Sequence, residues 1–328
     1  MTTDHSILEQ ALSDADPGRT PRDAAPDARA LAMRDRILRE TAAPKKRRRM
    51  RALGWATGLV AVATAAVVAF VMITPQVAAV AGTPSPLDFE GESTVTGIVD
   101  EASTALDSSP GPAEPLRLVR TASWGISVDV GTETSTVVPQ LSTLSWQPDG
   151  SGHMTIIEGV PYDPTDAVAS NAAEVRSSGE VVADFDITPE QFSSPWLSVP
   201  GESADDMVAI LRAFGMPEQP TAFDVQTAMT WVLGQWTLTN AQHRELLVLL
   251  EDAGGGDALG TSTDRLGRPV TGIRTLSPDG AVSDLVLVSL DTGRIVGVER
   301  TVLKADEVYP AGAIVSYSLW DVEEELIR

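Results

Sequence analysis

The side chains able to do chemistry are few. Beyond residue 73 the chain holds two histidines, His153 and His243, and one lysine, Lys304, and it has no cysteine anywhere. Disulfides, zinc–thiolate sites and thiol nucleophiles are therefore excluded. His243 belongs to no H-E-x-x-H pattern. No serine sits in G-x-S-x-G, and a serine–lysine pair would need Lys304, which nothing local supports. His153 follows a hairpin turn and His243 sits on a helix among polar neighbours, so both read as satisfied or solvated rather than catalytic. Asp205-Asp206, Glu251-Asp252 and Glu323-Glu324-Glu325 read as solvated faces or helix ends. The first pair suits the opening turn of a helix, where negative charge is stabilised. The loop Glu251-Asp252-Ala253-Gly254-Gly255-Gly256-Asp257 offers carboxylates to calcium without the EF-hand spacing, and its glycines lack the G-K-[ST] of a phosphate loop. No catalytic, cofactor or metal residue is assigned. Six tryptophans beyond residue 73 (Trp124, Trp146, Trp196, Trp231, Trp236 and Trp320) read mainly as core, with the lining of an apolar cavity as their other use.

What must position these residues begins with charge. The 328 residues carry a formal net charge of -22, unevenly spread. Residues 1–51 hold 12 Lys+Arg and 8 Asp+Glu, residues 52–73 none, and residues 74–328 hold 12 and 38. A large acidic domain repels phosphate, which argues against nucleic acid as its partner. The uncharged stretch, ALGWATGLVAVATAAVVAFVMI, is 22 residues long. As a helix it spans roughly 33 Å, close to the hydrocarbon thickness of a bilayer. Lys45, Lys46, Arg47, Arg48, Arg49 and Arg51 stand directly before it and set the topology: N-terminus cytoplasmic, C-terminal domain outside the plasma membrane. A cleaved signal peptide is the alternative, with Ala79-Val80-Ala81 as its small-residue site. Against it stand an n-region of about 50 residues and an apolar run beyond the usual 7–15. The organisation expected is a cytoplasmic tail over 1–51, a transmembrane helix over 52–73, a linker over 74–92 and an extracytoplasmic domain over 93–328.

The tail carries two short amphipathic patterns. Ile7, Leu8, Ala11 and Leu12 form one stripe; Ala30, Met33 and Ile37 form another, with Leu31 and Leu38 beside it. They suit docking to a cytoplasmic partner, and equally a helix lying on anionic lipid. Neither is long enough to be a stable helix alone.

In the domain, apolar residues at i, i+3, i+4, i+7 and i+11 from Val95 predict a helix over 93–106. Residues 116–130, 135–146 and 153–160 read as strands, the last two joined at Asp149-Gly150. Residues 161–200, with five prolines, read as long surface connections. Residues 203–253 read as three helices. A meander closes the chain over 258–263, 270–276, 285–290, 295–302 and 312–319, with turns at Leu266-Gly267, Asp279-Gly280 and Asp291-Thr292-Gly293. The fold class expected is α+β: a curved antiparallel β-sheet, half-barrel-like, packed with helices.

The tail, the basic run, the alanine/valine span, the helix over 93–106, Trp146-Gln147-Pro148-Asp149-Gly150, the helical block 203–253 and Asp291-Thr292-Gly293-Arg294 together resemble an actinobacterial family of single-pass membrane proteins of poorly known function, often encoded beside sigma factors. The resemblance implies an external domain similar to the lipoprotein-carrier fold, with an apolar cavity or a protein-binding face, and no catalytic residues. The functional expectation is a membrane-anchored, non-enzymatic envelope sensor or regulator. Its external domain would bind a lipid-like ligand or an envelope protein, and its tail would contact a cytoplasmic partner such as a sigma factor. The alternatives are an anchored carrier or scaffold without signalling, and an envelope hydrolase working through a carboxylate pair.

Overall fold

In the computed structural model of the protein the described residues are 83, 84, 86–129, 134–162, 175–305 and 309–327. Lys45, Lys46, Arg47, Arg48, Arg49 and Arg51, the apolar run 52–73, and Ile7, Leu8, Leu12, Leu31, Met33, Ile37 and Leu38 lie outside them. Among the described residues no helix is long and apolar enough to cross a membrane.

The domain opens with helix α1 (Val95–Ser108), which buries Ile98, Val99, Ala102 and Leu106, the stripe expected from spacing. Strands β1 (Leu118–Asp129), β2 (Thr134–Trp146), β3 (Gly152–Gly159) and β4 (Ser177–Ile187) follow. Three helices come next: α2 (Ala204–Ala213), α3 (Ala222–Leu233) and α4 (Asn240–Asp252). Each opens on a capping box, Ser203 with Asp206, Thr221 with Asp224, and Thr239 with Gln242. The cap side chain and the third helical residue satisfy backbone N–H groups that the helix leaves without partners, at about 1 kcal/mol per cap. Strands β5 (Asp257–Thr263), β6 (Pro269–Leu276), β7 (Val282–Ser289), β8 (Ile295–Val302) and β9 (Ile314–Leu319) complete the fold, with a 3-10 turn over Glu324–Ile327.

The nine strands form one antiparallel open sheet in the order β4-β3-β2-β1-β9-β8-β7-β6-β5. Two meanders are thus joined edge to edge where Ala122 and Ser123 of β1 face Leu319 and Ser318 of β9. With four α-helices among the described residues, this is an α+β fold.

The pleat sorts the core into two layers. Val119, Leu144, Trp146, Met154, Ile156, Ile273, Val286 and Val298 meet the helices, including Leu246, Leu247 and Leu250 of α4. Each fully buried leucine of this kind contributes about 1.5–3 kcal/mol. The opposite face buries Ala122, Leu141, Val270, Leu287, Tyr317 and Leu319 beneath Leu87, Phe89, Leu266 and Leu326. Strands β6 to β8 accordingly bury residues on both faces.

Strand β4 corrects the reading of residues 161–200 as connections. It is an edge strand in which only Ile187 is buried, with Ala183 and Phe185 partly so. Glu180, Asp184 and Asp186 interrupt the apolar pattern, and charge on an edge guards against unwanted pairing.

The folded unit also takes in residues ahead of 93. Glu90 exchanges both backbone hydrogen bonds with Thr261 of β5, at 2.9 and 2.8 Å, and Ser262 Oγ donates to the carbonyl of Asp88 at 2.6 Å. Two glycines make room for this strap. A Cβ on Gly260 would lie 1.8 Å from the Glu90 carbonyl oxygen, and one on Gly272 would lie 2.9 Å from the Phe89 ring.

Candidate functional site

Three connections converge at the end of the sheet where the two meanders meet. Leu116 to Arg120 enter β1. Trp236, Thr237 and Leu238 link α3 to α4. Trp320, Asp321 and Val322 leave β9. Between them lies a cavity of about 120 Å³, closed by His243 of α4 and by Arg294 and Ile295 at the start of β8.

Arg294 organises this junction. It is 5% exposed, and its guanidinium spans three segments. Nε and Nη2 donate to the Asp321 carboxylate, Nη1 donates to Asn240 Oδ1 at 2.9 Å, and Nη2 donates to the Leu238 carbonyl at 3.1 Å. Asn240 in turn donates to the carbonyls of Leu106 and Ser109, both at 2.9 Å, and so caps the C-terminus of α1. Gly293 permits this meeting. It has φ 72°, and a Cβ there would stand 2.1 Å from the Ala102 carbonyl oxygen.

Asp321 is the one non-glycine with positive φ (55°) among the described residues. Such a conformation costs a non-glycine residue about 1 kcal/mol or more, so the surroundings must impose it. Arg294 holds its carboxylate, and Arg268 Nη1 donates to the preceding Trp320 carbonyl at 2.7 Å. Burial acts to raise the Asp321 pKa, but the Arg294 hydrogen bond and charge outweigh it, and the carboxyl stays below its usual range.

His243 is 1% exposed. Its Nδ1 accepts the Ile295 backbone N–H at 3.2 Å. Burial, with Arg294 nearby and Asp321 opposing, pushes its pKa down to about 3. The ring is therefore neutral at neutral pH, and with Nδ1 accepting, the proton resides on Nε2. Nε2 has no hydrogen-bond partner, and neither has Trp236 Nε1. The expectation that His243 is satisfied thus holds at one nitrogen only.

The tryptophan cluster supports one wall. Trp146 stacks edge-on against Trp236 at 4.7 Å and donates through Nε1 to the Gln235 carbonyl at 2.7 Å. The Arg117 guanidinium lies 5.0 and 4.9 Å from the two ring centres. Each such cation–π contact is worth about 0.5–2 kcal/mol.

The other chemistry-bearing residues lie elsewhere. His153 sits on the exposed face of β3, between Asp184 (2.6 Å) and Asp186 (2.9 Å) of β4. Its pKa is raised, chiefly by the Asp186 hydrogen bond. Asp206 serves its capping box, Glu251 accepts from Thr96 at 2.5 Å, and Asp257 pairs with Arg274. No group of His, Cys, Asp and Glu among the described residues is arranged to hold a metal ion. On the second face of the sheet Arg265 and Glu299 form a buried ion pair at 2.8 Å, with Arg265 over the Tyr317 ring at 5.1 Å.

Sequence reasoning reached the parts of the cavity without joining them. Arg294 was visible as the end of Asp291-Thr292-Gly293-Arg294, and Trp236 and Trp320 as candidate lining. Asp321 carried no local signal, because its role depends on a backbone turn and on a partner 27 residues away. The chain matches no protein-family profile, no curated protein and no solved structure.

Proposed function

We propose that this protein is a membrane-anchored, non-enzymatic envelope sensor or regulator. The apolar run 52–73 holds it in the plasma membrane, the acidic domain works outside, and the tail meets a cytoplasmic partner. The family resemblance points to a sigma factor as that partner. The observation that carries the reading is the strap. Chain leaving the apolar run is paired into the β5 edge at Glu90 and packed on the sheet through Leu87 and Phe89. The strap covers the exposed edge of β5 and ties the folded domain directly to the chain that enters the apolar run, which supports coupling between the two.

The curvature expected for the sheet fits a bond between its extremes. The Val175 N–H, just before β4, donates to the Arg265 carbonyl in the β5–β6 loop at 2.8 Å, although β4 and β5 stand at opposite ends of the strand order. A half-barrel brings such ends together. The 120 Å³ cavity is well below the roughly 300–1,000 Å³ of sites for larger ligands. That supports a small molecule there, or a protein at the surface, over a long acyl chain in that cavity.

Deleting residues 1–44 while keeping the basic run 45–51 tests the reading. Transcripts of a regulon under the partner's control should change, with the protein still in the membrane. Unchanged transcripts would leave the anchored carrier or scaffold instead.

A further inference from the structure

We propose that the seam between the two meanders is an acid-sensitive joint, in which a proton taken up by His243 breaks the clasp between the α3–α4 linker and the ends of β8 and β9. The joint is narrow. Among the described residues β1 pairs with β9 at Ala122–Leu319 and Ser123–Ser318 alone, whereas it pairs with β2 along its whole length from Leu118 to Asp129. The linker supplies the rest of the hold. On one side Thr237 exchanges backbone hydrogen bonds with Leu116, at 2.9 and 3.0 Å, and its hydroxyl donates to the Leu118 carbonyl. On the other side Leu238 and Asn240 accept from Arg294, which also holds Asp321.

His243 stands where a charge undoes that hold. Its Nδ1 accepts the Ile295 N–H at 3.2 Å. A protonated ring donates from both nitrogens, so the Nδ1–H would point at the Ile295 N–H and the start of β8 would have to move away. Nε2 has no acceptor among the described residues to take the charge. The charged neighbours do not relieve it. Arg294 comes from β8 and Asp321 from the segment after β9, and burial together with Arg294 outweighs Asp321, holding the ring pKa down to about 3. Arg120 of β1 lines the same cavity and is paired to Glu324 at 3.1 Å. Arg268, bonded to the Trp320 carbonyl, is paired to Asp264 at 2.7 Å. On α4 itself Arg244 is turned to Asp107 of α1. Once the joint opens, the ring meets water and takes the proton at its ordinary value near 6.5. Acid below that value therefore favours the open joint over the closed one. As a stimulus for a sensor, acidity rests on the reading above. As a property of the joint it stands on the domain alone, so an unresponsive seam and unchanged transcripts after tail deletion are separate results.

Amide hydrogen exchange of the full-length chain in lipid nanodiscs, corrected for the intrinsic pH dependence of exchange, tests it. The amides to follow are Ile295, bonded to His243, and Trp320, bonded to the Val296 carbonyl at 2.8 Å. Between pH 7.5 and 5 their protection should fall about 30-fold, with the decline setting in near pH 6.5. The β2–β3 and β6–β7 ladders should keep their protection. His243→Gln, which keeps an acceptor but takes no proton, should abolish the fall, and His153→Gln should leave it unchanged. Should His243→Gln fail to fold, the onset in the wild type and in His153→Gln still decides. Protection at the seam that holds down to pH 5 overturns the proposal, as does a fall shared equally by the β2–β3 and β6–β7 ladders. An undiminished fall in folded His243→Gln, or a fall lost in His153→Gln, overturns it as well.

Discussion

His243 and His153 respond to pH in opposite directions, because one is buried and the other is held between carboxylates. For His243 the folded pKa, about 3, lies below the unfolded value near 6.5. The unfolded chain therefore binds the proton first, and stability falls as pH drops below about 6.5 toward 3. Between pH 7.5 and 5 this group alone should remove about 2 kcal/mol. Urea unfolding of the wild type and His243→Gln at the two pH values should show that difference in slope; parallel behaviour would mean the ring is protonated in the fold. For His153 the folded pKa is raised, so its contribution is present below the unfolded pKa and is lost as pH rises through the folded one. An NMR titration should place it above 6.5, and Asp186→Asn should bring it back down. Asp321 is the third decisive residue. Asp321→Asn leaves the buried Arg294 guanidinium without its counter-charge, and the loss should be about 3 kcal/mol in urea unfolding. None of this was legible in the sequence, where His243 read as a satisfied or solvated histidine among polar neighbours on its helix. Its burial is decided by β8 arriving against α4, a contact spanning 52 residues.

At the scale of elements, periodicity served wherever one face is buried. Helix α1 was legible because apolar side chains recur at 3.6 residues, and strands β1 to β3 and β5 to β9 because β-branched and aromatic residues are dense in them and turns such as Asp279-Gly280 punctuate them. Strand β7 starts three residues before the apolar run, at Val282, because Asp284 is carried into the core by Arg300, which donates to it at 2.7 and 2.6 Å. A charge that is buried by pairing looks, in sequence, like the end of a strand. Strand β4 was missed for the converse reason, since its partner on one side is solvent. The glycines mark close approaches that no pattern foretells. Gly293→Ala must place a Cβ 2.1 Å from a helix carbonyl at φ 72°, and should cost at least about 2 kcal/mol in urea unfolding. Gly260→Ala should do something more local: displace the strap. Amide exchange at residues 87–90 should accelerate while β6 to β8 stay protected. Unchanged exchange there would mean the strap had shifted to accommodate the methyl group.

At the scale of the whole molecule, two meanders share one sheet, and the candidate site lies at their seam. The cavity draws on residues 116–120, 233–243, 294–295 and 320–322, so no window of sequence contains it. What the sequence did display was the asymmetry of charge, with 38 acidic side chains after residue 73 and a basic cluster before residue 52. It also displayed the class of the fold. Covering the cavity requires both meanders, so a truncation that removes β9 and the residues after it should undo the fold of the seam, read as loss of amide protection in β1 and β8.

The strap also has a mechanical meaning. From Ile73 to Leu87 the chain can reach at most about 50 Å, so an anchored domain works on a short leash attached at one edge of its sheet. Tension on that leash falls first on Leu87, on the Asp88–Ser262 hydrogen bond and on Phe89, and then on the Glu90–Thr261 pair with its two hydrogen bonds. It reaches the deeper ladders only after that pair has let go. Rupture under load follows the unfolding rate of the element pulled. The strap would therefore part before the sheet, because a handful of contacts holds it whereas whole ladders hold the strands behind it.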